Sequence, residues 1–150
     1  MHYVKPFPKG TKYKISKPKG IYAHENYPES KYALDFLLDI NTPVLASRNG
    51  VVIKVKSDSD KWGLNPKFTK EVNFVAIDHW DNTYSEYLHL GKDKVIVKKG
   101  HKVKVGKLLG YTGFSGIMDL PHLHFNVFKI ENSKGISIPF KLKNAWNKKS

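Results

Sequence analysis

Five side chains carry the groups from which a hydrolytic metal site could be built: His24, Asp35, His89, His122 and His124. The run Pro121-His122-Leu123-His124-Phe125-Asn126-Val127-Phe128 alternates polar and apolar residues. As a strand it sets His122, His124 and Asn126 on one face and Leu123, Phe125 and Val127 on the other. Two imidazoles roughly 7 Å apart along a strand can converge on one ion or one water. The plainer alternative is the polar face of a half-buried strand. Asp35 is harder to explain without a partner. It lies in Tyr32-Ala33-Leu34-Asp35-Phe36-Leu37-Leu38, a run apolar enough to be buried, and an unpaired buried carboxylate is either costly or neutralised. Its compensation is a lysine salt bridge or a metal ion, to which His24 upstream could add a nitrogen. In Tyr84-Ser85-Glu86-Tyr87-Leu88-His89-Leu90, alternation puts Tyr87 and His89 on one face and Leu88 and Leu90 opposite. Taken singly, His89 reads as a structural histidine, and Tyr87 as either a packing residue or a substrate contact.

Imidazole nitrogens and a carboxylate oxygen suit zinc, and three protein ligands leave a fourth tetrahedral position open, as catalytic zinc sites do. With five candidate groups for four positions, the surplus histidines would orient a water and stabilise charge on an attacked carbonyl.

Composition limits what surrounds such a site. The 150 residues carry a net charge of +13 and no cysteine, which excludes disulfide frameworks and thiolate metal sites. At 40% hydrophobic and 13% aromatic, the chain is a folded domain and not a disordered basic tail. The charge points to an anionic partner such as nucleic acid, headgroups or a cell-wall polymer. Arg48 is the only arginine among 26 basic residues. Sequence-specific DNA readout leans on the bidentate arginine fork and is therefore not expected. No apolar run reaches the length of a membrane span, and MHYVKPFPKGTKYK has no apolar signal-peptide core.

The elements that must hold these residues are strands. Short runs at Tyr32 to Leu38, Gly50 to Lys56, Val72 to His79, Thr83 to Leu90, Lys107 to Thr112 and His122 to Ile130 are each bounded by Gly, Pro, Asn or Asp. No helical stripe of 12 residues is present. The expected fold is all-β, a compact antiparallel sheet of barrel or sandwich type in one domain. Its core spans 21–140, with a basic arm or edge segment at 1–19 and a peripheral basic tail at 141–150. His79-Trp80-Asp81-Asn82-Thr83 reads as a tight connection between antiparallel strands, and Ser57 to Lys70 as a long loop of the kind that is often functional. His79 reads as structural, His101 as solvated among lysines, and His2 as terminal.

Together these residues resemble the lysostaphin- or LytM-type zinc metallopeptidases, which cleave peptidoglycan cross-bridges and stem peptides. The resemblance runs from about Ile21 to Ile130, through YAHENYPESKYALDF, NTPVLASRNGVVIKV, VNFVAIDHWDNTYSEYLHL, VKKGHKVKVGKLLGYTGFSG and PHLHFNV in family order. It implies that His24, Asp35 and His124 bind one zinc per chain and that His89 and His122 are the catalytic pair. It also implies a groove floored by the zinc and a zinc-activated water assisted by the two histidines. The substrate would be peptidoglycan peptide, with anionic wall polymer as a further partner, at an extracellular, periplasmic or cell-wall site. Four departures from the family pattern stand out: the ten residues between His24 and Asp35 bear on His24 as a ligand, while Asn126 where many members have Glu, SGIMDL before PHLHF and the Ser57 to Lys70 loop are groove-wall differences that bear on substrate choice. Two other readings make different expectations: a non-catalytic regulator or wall-binding module of the same fold, and a basic β-domain that binds single strands without sequence choice.

Overall fold

The computed structural model describes residues 2–18 and 23–144, so the expected boundary at 19–21 and the tail beyond Asn144 lie outside the described residues. The described residues form fourteen strands: β1 His2–Val4, β2 Lys14–Ser16, β3 Leu34–Leu37, β4 Pro43–Leu45, β5 Gly50–Lys56, β6 Trp62–Gly63, β7 Asn73–Asp78, β8 Tyr84–Leu90, β9 Lys102–Val103, β10 Leu108–Tyr111, β11 Gly116–Ile117, β12 His122–Glu131, β13 Lys134–Ser137 and β14 Lys141–Lys143. The all-β expectation holds. The six runs read as strands became β3, β5, β7, β8, β10 and β12, because each combines a turn-bounded end with side chains that fill a pleated, half-buried surface.

Eight strands make the main sheet in the order β2-β3-β12-β8-β7-β5-β9, with β13 beside β12, and all of its pairings are antiparallel. Two short pairs, β1 with β14 and β6 with β11, are parallel. The β4–β10 ribbon packs on the main sheet, since Val44 and Leu109 share one buried cluster with Phe36, Val75, Ile77, Tyr87, Leu123 and Phe125. Burying a side chain of this size contributes about 1.5–3 kcal/mol.

The N-terminal segment is woven into the body. Tyr3 and Phe7 belong to the core cluster, and β2 is an edge strand of the main sheet. At the other end, β14 lies against β1 and Leu142 packs on the core. The connection at residues 79–83 is tight, as its sequence suggests. Trp80 and Asn82 take positive φ, and Asp81 Oδ1 accepts bonds from the Thr83 N–H and hydroxyl. The stretch from Ser57 to Lys70 is not a bare loop: it holds β6 and most of a 3-10 helix, Pro66–Glu71, started by Asn65 accepting from the Lys67 N–H.

Candidate metal centre and active site

The register of the sheet assembles the site. β12 lies between β3 and β8, and His124 is the cross-strand partner of Asp35 on one side and Leu88 on the other. His122 pairs with Leu37, two residues along on the same face. Candidate ligand atoms of His24, Asp35 and His124 lie within 4.8 Å of one another. Asp35 Oδ2 is 3.1 Å from His24 Nε2, and Asp35 Oδ1 is 3.1 Å from His124 Nδ1. Among the described residues no lysine compensates Asp35; imidazoles do, so a histidine cluster stands where a lysine salt bridge was considered.

His24 reaches Asp35 across the ten-residue gap because the intervening segment is tied down by backbone and side-chain bonds. His24–Asn26 forms a 3-10 turn, and the Ala33 N–H then bonds to the Ser30 carbonyl. Ser137 donates its N–H to the Pro28 carbonyl, and its hydroxyl accepts from the Tyr32 N–H at 2.9 Å. Asn126 Nδ2 donates to the Glu29 carbonyl at 2.7 Å and to Glu86 Oε1 at 3.0 Å, while its Oδ1 accepts from the Ser137 hydroxyl. These supports were not legible in the sequence, except that Asn126 shares the His122–His124 face.

The tautomers follow from their partners. The Ala33 carbonyl, 2.8 Å from His24 Nδ1, can only accept, so Nδ1 carries a proton and Nε2 is the atom facing Asp35. A neutral His24 would therefore aim a lone pair at a carboxylate oxygen, an arrangement that calls for either a second proton or a cation between them. His124 Nε2 is buried without a hydrogen-bond partner. The donor set of two nitrogens and one carboxylate oxygen, closely grouped around an anionic centre, fits a divalent metal of the zinc type. Burial by itself would raise the Asp35 pKa, but the bonds from His124 and His24 outweigh it and hold the carboxyl well below its usual range. For His24, burial would lower the pKa, and the bond to Asp35 raises it above the ordinary value.

His89 and His122 stand beside this cluster with ring centroids 4.5 Å apart. His89 Nδ1 donates to the Ser115 carbonyl at 2.7 Å, and His122 Nδ1 to the Leu120 carbonyl at 2.8 Å, which leaves both Nε2 atoms as proton acceptors when the rings are neutral. Burial, followed by the neighbouring His122 and His124, pushes the His89 pKa down to about 3. His89 is thus neutral near pH 7.

Simple alternation placed Tyr87 and His89 on one face, and here the structure differs. His89 takes φ 74, and Asn73 pairs with Leu90 while Phe74 pairs with Leu88, so His89 is the extra residue of a β-bulge. The bulge turns His89 to the cleft, where Leu88 also points, and leaves Tyr87 fully buried in the core. Tyr87 is a packing residue whose hydroxyl accepts from the Ser47 N–H. His79 is structural as expected. Its Nδ1 donates to the Asn49 carbonyl, so Nε2 accepts from the Ser85 hydroxyl, which in turn accepts from Tyr87. His101 and His2 are exposed.

All five residues line one cleft of about 610 Å³. Its walls are mostly apolar, with Tyr27, Leu37, Leu64, Val72, Met118 and Leu120 among them. The parallel β6–β11 pair brings the 57–70 segment beside 114–118, and so sets Leu64 in the wall with Met118.

The sequence model of peptidase family M23 matches residues 29–137. The peptidoglycan DD-endopeptidase ShyA of Vibrio cholerae is 32% identical over 124 residues, covering 81% of this chain and 26% of ShyA. Lysostaphin of Staphylococcus simulans is 32% identical over 95 residues, covering 63% of this chain and 17% of its own length. The chain thus spans about a quarter or less of these curated relatives. Among solved structures, a zinc-containing peptidase from Vibrio cholerae superposes with a TM-score of 0.63 at 26% identity, over 90% of this chain and 38% of that one. The catalytic domain of lysostaphin from Staphylococcus simulans superposes at 0.57 and 28% identity, over 87% and 88% of the two chains. With more than two thirds of its residues matched by the family pattern and its fold shared with those peptidases, this chain belongs to peptidase family M23.

Proposed function

We propose that the chain is a zinc metalloendopeptidase that hydrolyses peptide bonds in the stem peptides or cross-bridges of peptidoglycan. The observation that carries this reading is the adjacency, in one cleft, of a His24–Asp35–His124 cluster and a His89–His122 pair with both Nδ1 atoms bonded to carbonyls. In this reading His24, Asp35 and His124 hold one zinc, which when bound supplies Lewis-acid activation of a water and of the scissile carbonyl. His89 Nε2, neutral and in the cleft, takes a proton from the attacking water and returns it to the leaving amine. His122 shares that role, and when protonated it donates a hydrogen bond to the oxyanion. The Leu64 and Met118 walls exclude bulk water and seat the substrate chain. The net charge of +13 would hold the enzyme on anionic wall polymer, outside the cytoplasm.

The test is digestion of purified muropeptides from several wall types, with and without a chelator, followed by mass analysis of the products. Chelator-sensitive cleavage at a peptide bond is expected. Stoichiometric zinc with no cleavage of any wall would replace the enzyme with a binding or regulatory module.

A further inference from the structure

The bulge that turns His89 into the cleft is held open by a serine from a different part of the chain. Asn73 and Leu90 are the register pair on one flank of the bulge, and Phe74 and Leu88 the pair on the other. The Ser115 hydroxyl sits between them, accepting the Asn73 N–H at 2.9 Å and donating to the Leu90 carbonyl at 2.8 Å. It occupies the place where a ladder bond would otherwise form. Asn73 Nδ2 adds a second donor to the Leu90 carbonyl at 3.1 Å. Its amide is itself locked by the Ser59 backbone, through Ser59 N–H to Oδ1 at 3.1 Å and Nδ2 to the Ser59 carbonyl at 2.8 Å. Asn73 and Ser115 are both fully buried.

The same serine also meets the ring. Its carbonyl accepts a bond from His89 Nδ1–H at 2.7 Å, so the hydroxyl holds the strand pair that flanks the bulge and the carbonyl holds the ring of the bulged residue. The chain that delivers Ser115 is fastened against the bulge: Gly113 N–H bonds to the His89 carbonyl, and a Cβ on Gly113 would fall 2.4 Å from the Gly91 Cα. Ser115 N–H is turned to Met118 Sδ, on the cleft wall.

We propose that Ser115, locked in place by Asn73, is a positioning residue for His89: its hydroxyl wedges the strand ladder open at the bulge, and its carbonyl fixes the Nδ1–H tautomer. Loss of the hydroxyl removes the bridge between the Asn73 N–H and the Leu90 carbonyl and lets them approach each other, which narrows the ladder beside the bulge and draws the His89 ring from its carbonyl. The kinetic consequence rests on the endopeptidase reading; the tautomer does not.

The experiment is long-range proton–nitrogen NMR of the histidine rings in the zinc-loaded chain, paired with steady-state kinetics on muropeptides. Wild-type His89 is expected as the Nδ1–H tautomer. In Ser115→Ala it should shift toward a tautomer mixture, with kcat down about tenfold and KM and zinc stoichiometry unchanged. Ser115→Thr, which keeps the hydroxyl, should restore both. An Nε2–H tautomer in the wild type would overturn the proposal. So would a Ser115→Ala protein with wild-type kcat and wild-type ring signals, whatever its melting temperature. If that variant does not fold, Asn73→Ser removes the lock with Ser115 intact and is judged by the same readouts. Absence of cleavage by the wild type would sink the endopeptidase reading alone, since the ring signals still decide the positioning role.

Discussion

Asp35 of β3 is the direct cross-strand partner of His124 of β12, and its Oδ1 lies 3.1 Å from His124 Nδ1. One strand pairing therefore joins the carboxylate to a histidine 89 residues away.

If His24, Asp35 and His124 hold zinc as proposed, metal retention depends on the carboxylate charge. Asp35→Asn should reduce zinc from about one per chain to a small fraction, read by elemental analysis after gel filtration. On that proposal, zinc at a hundredfold excess over its dissociation constant would stabilise the wild type by about 2.7 kcal/mol. The variant should show no zinc-dependent rise in melting temperature, and a rise equal to that of the wild type would remove Asp35 from the ligand set.

His89→Ala separates binding from chemistry. Zinc content should be retained while kcat on muropeptides falls by about 10²–10⁴, the usual range for a lost general base. Full wall lysis by this variant would exclude His89 from proton transfer.

Tyr87→Phe tests the turn at the bulge. It strips the acceptor from the buried Ser47 N–H and should cost about 1–3 kcal/mol in urea unfolding. Its kcat and KM should match the wild type. A raised KM would return Tyr87 to the substrate side.

Ser137→Ala removes the hydroxyl that accepts from Tyr32 N–H and donates to Asn126, and so loosens the segment that carries His24. Zinc affinity, measured by competition with a chromophoric chelator, should fall about 10–100-fold. Unchanged affinity would mean that the 24–35 segment holds its shape alone.

His79 gives a pH dependence remote from the cleft. Burial lowers its pKa below 6.5, so its folded pKa is less than its unfolded one. Just below pH 6.5 the unfolded chain holds a proton that the folded chain lacks. The contribution of neutral His79 is therefore complete above that pH and is lost as pH falls toward the folded pKa. The slope is up to about 1.4 kcal/mol per pH unit for one proton. His79→Gln should flatten the curve of urea midpoint against pH in this window, and an equally steep curve in the variant would assign the loss to other groups.

The strands that bear the site were legible because their side chains alternate. The pattern of His122, Leu123, His124 and Phe125 puts the histidines on one face in both sequence and structure, as period-two pleating requires. Asp35 was legible as an anomaly, an acid within an apolar run. The 1–18 segment was less so. Its Pro, Gly and Lys content describes solvent exposure, while the burial of Tyr3 and Phe7 depends on core surface supplied by residues distant in sequence.

What the sequence by itself determined was the list of chemical groups and the faces on which regular strands would place them. The tertiary structure decided which groups meet. Alternation assigns His89 to the face of Tyr87, which the structure buries, and only the bulge at φ 74 turns it into the cleft. The reason is physical: a bulge is a mismatch of register between two strands, so it exists only where both are paired. The atoms that hold it, the Ser115 hydroxyl and carbonyl, arrive from a third segment. In the same way the loop that carries His24 to Asp35 is anchored by the Asn126 and Ser137 side chains bonding to its backbone, contacts that no pattern along the sequence records.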